Sequence, residues 1–318
     1  MARLSLLLTL FAALPAAAGW TWSAEDGYVE DLMTPTPADP RTADEYAAAG
    51  AFGTAAQRFR VIATAAKDDP EVLRVALLKM SDAWLAGRFW YEAWAGYEIC
   101  ATYAETHAER RRARRFQVDA LILGVEEGAS FDWFGTVRGS RWAENQVKDL
   151  LNAYAYEDWS VSARLRLAQA LLAADRCDHA VLEYEWLLTD YPDSPFAPTA
   201  RYRKGEALLS QYQGKSYDGE PLENARREFR RYLDENPEGD RVDAARARLK
   251  DTDELGAERD WTAYEHYRHL KRWRSALFYL RQVLKRYPGT EFAARAAEEL
   301  AGVEAEVRAL PEQKRSGR

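Results

Sequence analysis

The sequence predicts an all-α chain, a solenoid of about five stacked helical hairpins, and three observations carry that expectation. Apolar residues recur at intervals of three and four from Thr42 onward, which is the period of an amphipathic helix. The composition is rich in Ala, Leu, Arg and Glu, with only 18 Gly, while 11 Trp and 17 Tyr supply large rings to fill gaps between helices. One pattern, finally, is written three times in register. Ala180, Ala225 and Ala276 each stand twelve residues before a proline, namely Pro192, Pro237 and Pro288. Four residues after each alanine comes Tyr184, Phe229 or Leu280, and seven and eight after it come Leu187 and Leu188, Tyr232 and Leu233, or Val283 and Leu284. Eight residues past each proline stands a further alanine, Ala200, Ala245 or Ala296.

Each part of this pattern has a physical reason. The small residue lets the second helix of a hairpin sit close to the first, and the large residue four later lies one turn along on the same face. The proline ends the helix. A single hairpin of this size leaves its apolar face open, so copies must stack and share a core, which is the logic of the tetratricopeptide-type repeat.

Taken in chain order, residues 1–18 read as a signal peptide: Arg3 gives a positive start, residues 4–14 are uncharged and apolar, and Ala16 and Ala18 suit a cut after Ala18. Residues 19–41 form a proline-containing arm, either a linker or a docked segment, because Pro35, Pro37 and Pro40 are incompatible with a helix interior. The helical array spans residues 42–305. Hairpins are expected over 46–66 and 72–103, with a break at Asp68, Asp69 and Pro70 and a turn over 87–91 before Ala93 and Tyr97. A third hairpin starts with residues 110–127 and meets an insertion near 128–142, rich in aromatic and arginine side chains. That insertion is read as a plug packed on the array, with a protein contact surface as the alternative. Trp133, Arg138 and Arg141 are its candidate protein-binding residues, since Trp and Arg dominate interface hot spots. Residues 306–318 read as a basic flexible tail.

Charge narrows the partners. The 51 acidic residues outnumber 44 basic ones, and loss of Arg3 with the leader takes the net charge from −7 to −8, so no basic footprint for nucleic acid is expected. The run of Arg110, Arg111, Arg112, Arg114 and Arg115 is read as the polar face of a helix whose other side holds Phe116, Val118 and Leu121, the alternative being a contact for anionic headgroups or an acidic partner. No later stretch is apolar enough to span a membrane, so any membrane contact is expected to be peripheral. The two cysteines, Cys100 and Cys177, lie inside helical patterns and leave both a disulfide and two buried thiols open. Gly19 and Trp20 at the expected cut site argue against lipidation.

No catalytic or cofactor constellation emerges. His266 and His269 are three apart on a helix with no third ligand in view, and there is neither a phosphate loop nor a nucleophile motif. An enzyme is not expected, and neither a metal nor a cofactor.

The segment from Cys177 and Ala180 through Tyr184, Tyr191, Pro192, Ser194, Ala197, Ala200 and Tyr202, followed by Tyr267, Trp273, Ala276, Tyr287, Pro288 and Thr290, resembles the BamD family, periplasmic repeat subunits of the outer-membrane β-barrel assembly machine. The resemblance implies a curved scaffold whose first repeats receive unfolded outer-membrane proteins. It also implies that residues 261–286 dock on the periplasmic domains of the barrel subunit. Similar Tyr-Pro turns occur in other periplasmic repeat adaptors, for Tol-Pal, cell-wall or cell-division work, which stay open as the alternative.

Overall fold

The computed structural model of the protein describes residues 20–23, 27–30, 42–128, 130–131, 137–214 and 218–310. The expected signal peptide lies outside the described residues. So do most of the proline arm and the last eight residues. Near the start, β1 (Trp20–Ser23) and β2 (Gly27–Glu30) pair antiparallel, with Trp22 opposite Tyr28. Thirteen helices follow among the described residues. They fall into two compact units, residues 1–163 and 164–318.

In the first unit, α1 (Ala43–Ala48), α2 (Phe52–Ala65), α3 (Pro70–Ala86), α4 (Trp90–Tyr103), α5 (His107–Glu127) and α6 (Ser140–Ala153) pack each against the next. Local chemistry fixes several starts. Thr42 and Glu45 form a reciprocal capping box on α1, as Thr106 and Glu109 do on α5. Asp69 caps α3, accepting from the Val72 amide at 3.3 Å, and Pro70 takes the first helical position, where its missing N–H costs nothing. Between α5 and α6 the chain forms a small ladder, β3 (Ser130–Phe131) against β4 (Val137–Arg138). α6 begins at Ser140, so the end of the expected insertion is already helical.

The second unit begins inside α7 (Ser160–Ala173) and continues through α8 (Cys177–Asp190), α9 (Ala197–Ser210), α10 (Glu220–Glu235), α11 (Val242–His269), α12 (Trp273–Arg286) and α13 (Glu291–Ala309). From α8 on, successive helices pack together. The three aligned copies are α8, α10 and α12, the second helices of their hairpins. Ala180, Ala225 and Ala276, with Ala200, Ala245 and Ala296 on the following helices, are all fully buried. Their large partners Tyr184, Phe229, Leu280, Leu187, Tyr232 and Val283 are fully buried as well. Each of the three helices ends one residue before the last pre-proline residue, and that residue leaves helical geometry in the same way: Tyr191 (φ −134°, ψ 57°), Asn236 (φ −133°, ψ 62°) and Tyr287 (φ −129°, ψ 50°). The clash of a proline ring with the preceding residue disfavours the α region there, and this stops the helix.

A second register runs through both units. Gly50, Arg88, Asp175 and Lys271 all adopt positive φ, between 53° and 79°, and each joins the two helices of a hairpin through the same set of backbone hydrogen bonds. For Arg88, the Gly87, Arg88 and Phe89 amides donate to Ala83, Leu85 and Trp84; the Leu270, Lys271 and Arg272 amides repeat this on His266, Arg268 and Tyr267. Five residues after each turn residue stands a buried alanine (Ala55, Ala93, Ala180, Ala276), and nine after it a buried large residue (Phe59, Tyr97, Tyr184, Leu280). The first two hairpins of the first unit thus obey the rule that the sequence displays openly only in the second unit. The all-α hairpin expectation holds, with six hairpins among the described residues rather than about five, the expected 46–66 hairpin being α1 with α2, and α13 standing last. α13 runs on to Ala309, so residues 306–309 are helical rather than part of the tail.

Candidate protein-binding surfaces

Two sets of apolar side chains are left in solvent by helices whose other faces build the core. In the first unit a groove of about 290 Å³ runs between α2 and α3, floored by Phe59 and Ala76 and edged by Ile62, Val72 and Val75. Val75 is 52% exposed. Lys79 also lines it; its Nζ bonds Asp44 at 2.7 Å and lies 5.5 Å from the Phe59 ring centre.

In the second unit Leu182 on α8 is exposed, and the other exposed large apolar residues among those described lie on the α11–α12 hairpin. Phe278 is 55% exposed and Leu270 46%. Beside Phe278 the rings of Tyr267 and Tyr279 stack, 5.4 Å between centres and 9° between planes. Position in the repeat accounts for this. Three residues after the small alanine, α8 carries Glu183 and α10 carries Glu228, both buried and paired with Arg164 at 2.7 Å and Arg201 at 3.3 Å. In α12 the same position is Tyr279, and an aromatic stack replaces the ion pair.

Trp261, at the head of the segment expected to dock, is 5% exposed and works inside the unit: it packs on Tyr264 and Phe292, with the Arg295 guanidinium 4.6 Å from its ring centre. The surface in this segment belongs to Phe278, Tyr279, Tyr267 and Leu270. A polar network holds the base of the hairpin. Tyr287, almost fully buried, donates to Glu223 at 2.6 Å; Arg286 pairs with Glu223 at 3.2 Å; Arg226 lies over the Tyr287 ring and bonds both Asp253 and the Arg286 carbonyl oxygen. Burial, reinforced by the Glu223 carboxylate, pushes the Tyr287 phenol well above its ordinary range.

The three candidate residues of the insertion fare differently. Trp133 lies outside the described residues. Arg138 sits in β4, opposite Ser130. Arg141 is exposed in the first turn of α6. Next to it, Trp142 joins Trp90, Tyr91 and Trp94 in a four-ring cluster, with Trp94 and Trp142 edge to face at 5.0 Å. This cluster ties the end of the insertion to α4.

Most of the arginine run over 110–115 is engaged within the first unit. Arg111 pairs with Glu157 and Asp158, Arg114 with Glu98, and Arg112 lies 5.7 Å from the Phe116 ring centre. Burial pushes the Glu98 carboxyl up, but hydrogen bonds from Arg114 and Gln117 outweigh it and leave it below the usual value. The run is therefore a structural face. Cys100 and Cys177 are free thiols and do not pair with each other, and burial pushes the Cys100 thiol up to about 12. Among the described residues no helix is long and apolar enough to cross a membrane.

A search of curated proteins finds no match to the chain. The sequence profile of the YfiO outer membrane lipoprotein family matches residues 138–316, which covers α6 to α13 and with them the α11–α12 hairpin. That match takes in more than half of the sequence, and the chain belongs to the YfiO outer membrane lipoprotein family.

Proposed function

We propose that the chain is an exported periplasmic protein-binding scaffold that takes part in outer-membrane protein assembly, with residues 1–18 as its export signal. The observation that carries this reading is the open aromatic face of α12, Phe278 beside the Tyr267 and Tyr279 stack, within the part of the chain that the family profile covers. A half-exposed phenylalanine on a helix that is otherwise well packed has the chemistry of an interface anchor, since aromatic side chains give large contact area at low entropic cost. By family resemblance, this face takes the periplasmic domains of the barrel subunit. The α2–α3 groove, mostly apolar with Asp44, Glu71 and Lys79 also lining it, is offered to extended segments of unfolded outer-membrane proteins. Trp133, Arg138 and Arg141 are proposed as a further protein contact at the insertion.

The test is binding of the mature chain to purified periplasmic domains of a barrel-assembly subunit. Phe278→Asp should weaken that binding by about tenfold or more, a typical hot-spot effect, with the helical circular dichroism unchanged. Wild-type affinity in this variant would remove α12 from the interface. Recovery of Tol-Pal or cell-wall proteins from envelope extracts, with no barrel-assembly subunit among them, would replace the assembly role with that of another periplasmic adaptor. For the insertion, replacing Trp133, Arg138 and Arg141 together by alanine should leave the fold intact and reduce partner binding; unfolding instead would mark the insertion as a packing plug.

A further inference from the structure

We infer that the tip of the α11–α12 hairpin is a contact for an anionic lipid surface, with Leu270 entering the headgroup region and Lys271 and Arg272 meeting the phosphates. The four hairpin turns that share the positive-φ residue give the internal comparison. At the first, Gly50 stands between Ala49 and Ala51 and offers neither charge nor bulk. At the second, Arg88 is tied to Glu127, and the neighbouring Phe89 ring packs edge-on against Trp84 at 5.2 Å. At the third, the turn residue is an acid, Asp175, and Arg176 is engaged with the His179 ring at 3.0 Å. Only the fourth shows solvent an apolar side chain flanked by cations. Leu270, His269, Lys271 and Arg272 are all exposed, and neither Lys271 nor Arg272 makes an ion pair among the described residues.

The charge pattern around the tip points the same way. The whole chain carries −7, yet the 25 residues from 266 to 290 contain no Asp or Glu and seven Lys or Arg. Three of the seven are committed internally: Arg268 to Glu299, Arg281 to Glu304 and Arg286 to Glu223. Of the other four, Arg274 and Lys285 lie along α12, and Lys271 and Arg272 stand at the apex with half-buried Trp273 directly behind them. A convex apex with a leucine between cations suits a bilayer better than a protein groove. The long cationic stems reach phosphate level while the leucine dips below it, and a tryptophan favours the interface. Nucleic acid would reward the cations but not the leucine.

This inference does not rest on the partner reading above, and its experiment uses no protein partner. The mature chain is floated with vesicles of phosphatidylcholine alone, and with vesicles of phosphatidylcholine and phosphatidylglycerol in equal parts. The expected result is binding to the anionic vesicles only, released by about 1 M salt, where charges are screened within a few ångströms. Lys271→Asn with Arg272→Gln should reduce binding about thirtyfold, taking each cation near an anionic surface as a factor of about five to six. Asparagine tolerates the positive φ, so this variant should fold. Leu270→Ser should weaken binding without altering its salt dependence. Equal binding to neutral vesicles, no binding to either kind, or unchanged binding by the variants would overturn the inference.

Discussion

The ring of Phe229 in α10 lies so close over Gly205 of α9 that a methyl group on residue 205 would stand 2.7 Å from Cε1 of the ring. The same relationship joins Tyr287 to Gly256 and Trp90 to Gly124. In each case a buried aromatic ring lies where a helical glycine lets another helix approach. Gly205→Ala should therefore destabilise the second unit by about 1–3 kcal/mol, since overpacking outweighs the roughly 1 kcal/mol that alanine gains in helix propensity. Urea unfolding checks this. Adding Phe229→Leu to Gly205→Ala should recover part of the loss, and a stabilising single variant would show that the helices can part without cost.

Gly50 isolates a different effect. Its φ is 79°, and a Cβ placed there would meet nothing within 4 Å, so alanine is opposed by backbone conformation alone. Gly50→Ala should cost about 1 kcal/mol, in line with the preference of L-residues against this region. Arg88→Gly, the reverse change at an equivalent turn, should cost little or stabilise slightly. Thermal unfolding of the two variants against wild type measures both signs, and equal destabilisation by both would contradict the conformational account.

How much of this architecture could be read beforehand follows from which rules leave marks in sequence. Ala180, Ala225 and Ala276 with their large partners and prolines were legible because close helix approach and helix stopping each demand particular residue types. The turns were not, because three of the four carry Arg88, Asp175 and Lys271 in a conformation usually announced by glycine. The candidate surface was hidden for another reason. Ala276, Leu277, Phe278, Tyr279 and Leu280 are all apolar or aromatic, so periodicity alone does not say that Phe278 faces solvent while Leu277 and Leu280 are buried. Trp261 was expected in the docking segment, and burial against Phe292 turns it inward. Arg141 does lie exposed as a contact residue must, but at the head of α6 rather than within an insertion loop.

Asp260 makes stability depend on pH. It is 2% exposed; Oδ1 accepts from Arg259 at 3.1 Å, while Oδ2 has no hydrogen-bond partner. Burial raises its carboxyl above the ordinary 3.8, against the opposing pull of Arg259 and Arg286. A folded-state value above the unfolded one means that the native state holds the proton longer. Stability associated with this group is then complete below about 3.8 and is lost as pH rises through the raised value. Asp260→Asn, which keeps an acceptor for Arg259, should be more stable than wild type at pH 7 and gain less at pH 4. Denaturation midpoints at the two pH values test this; a variant weakened at pH 7 would mean that the carboxylate charge is needed by Arg259.

The sharpest prediction concerns the ion pair that α12 lacks. Arg164 donates to Glu183 at 2.7 Å with both side chains below 10% exposure, and the guanidinium lies 3.7 Å from the Trp186 ring centre. Two charges so enclosed gain strongly from each other but have lost their water, and the net worth of the pair is small while the cost of breaking it is large. Glu183→Ala should accordingly destabilise by about 3–5 kcal/mol, because Arg164 is left buried without its carboxylate. Replacing both partners, Arg164→Met with Glu183→Leu, should come much closer to wild type than the single change does, since apolar packing takes over the space. The comparison of the two variants by urea unfolding is decisive. If the double change were as damaging as the single, the pair would be a true source of stability, and its replacement by the Tyr267 and Tyr279 stack in the last hairpin would carry a cost that only a surface role for those rings could explain.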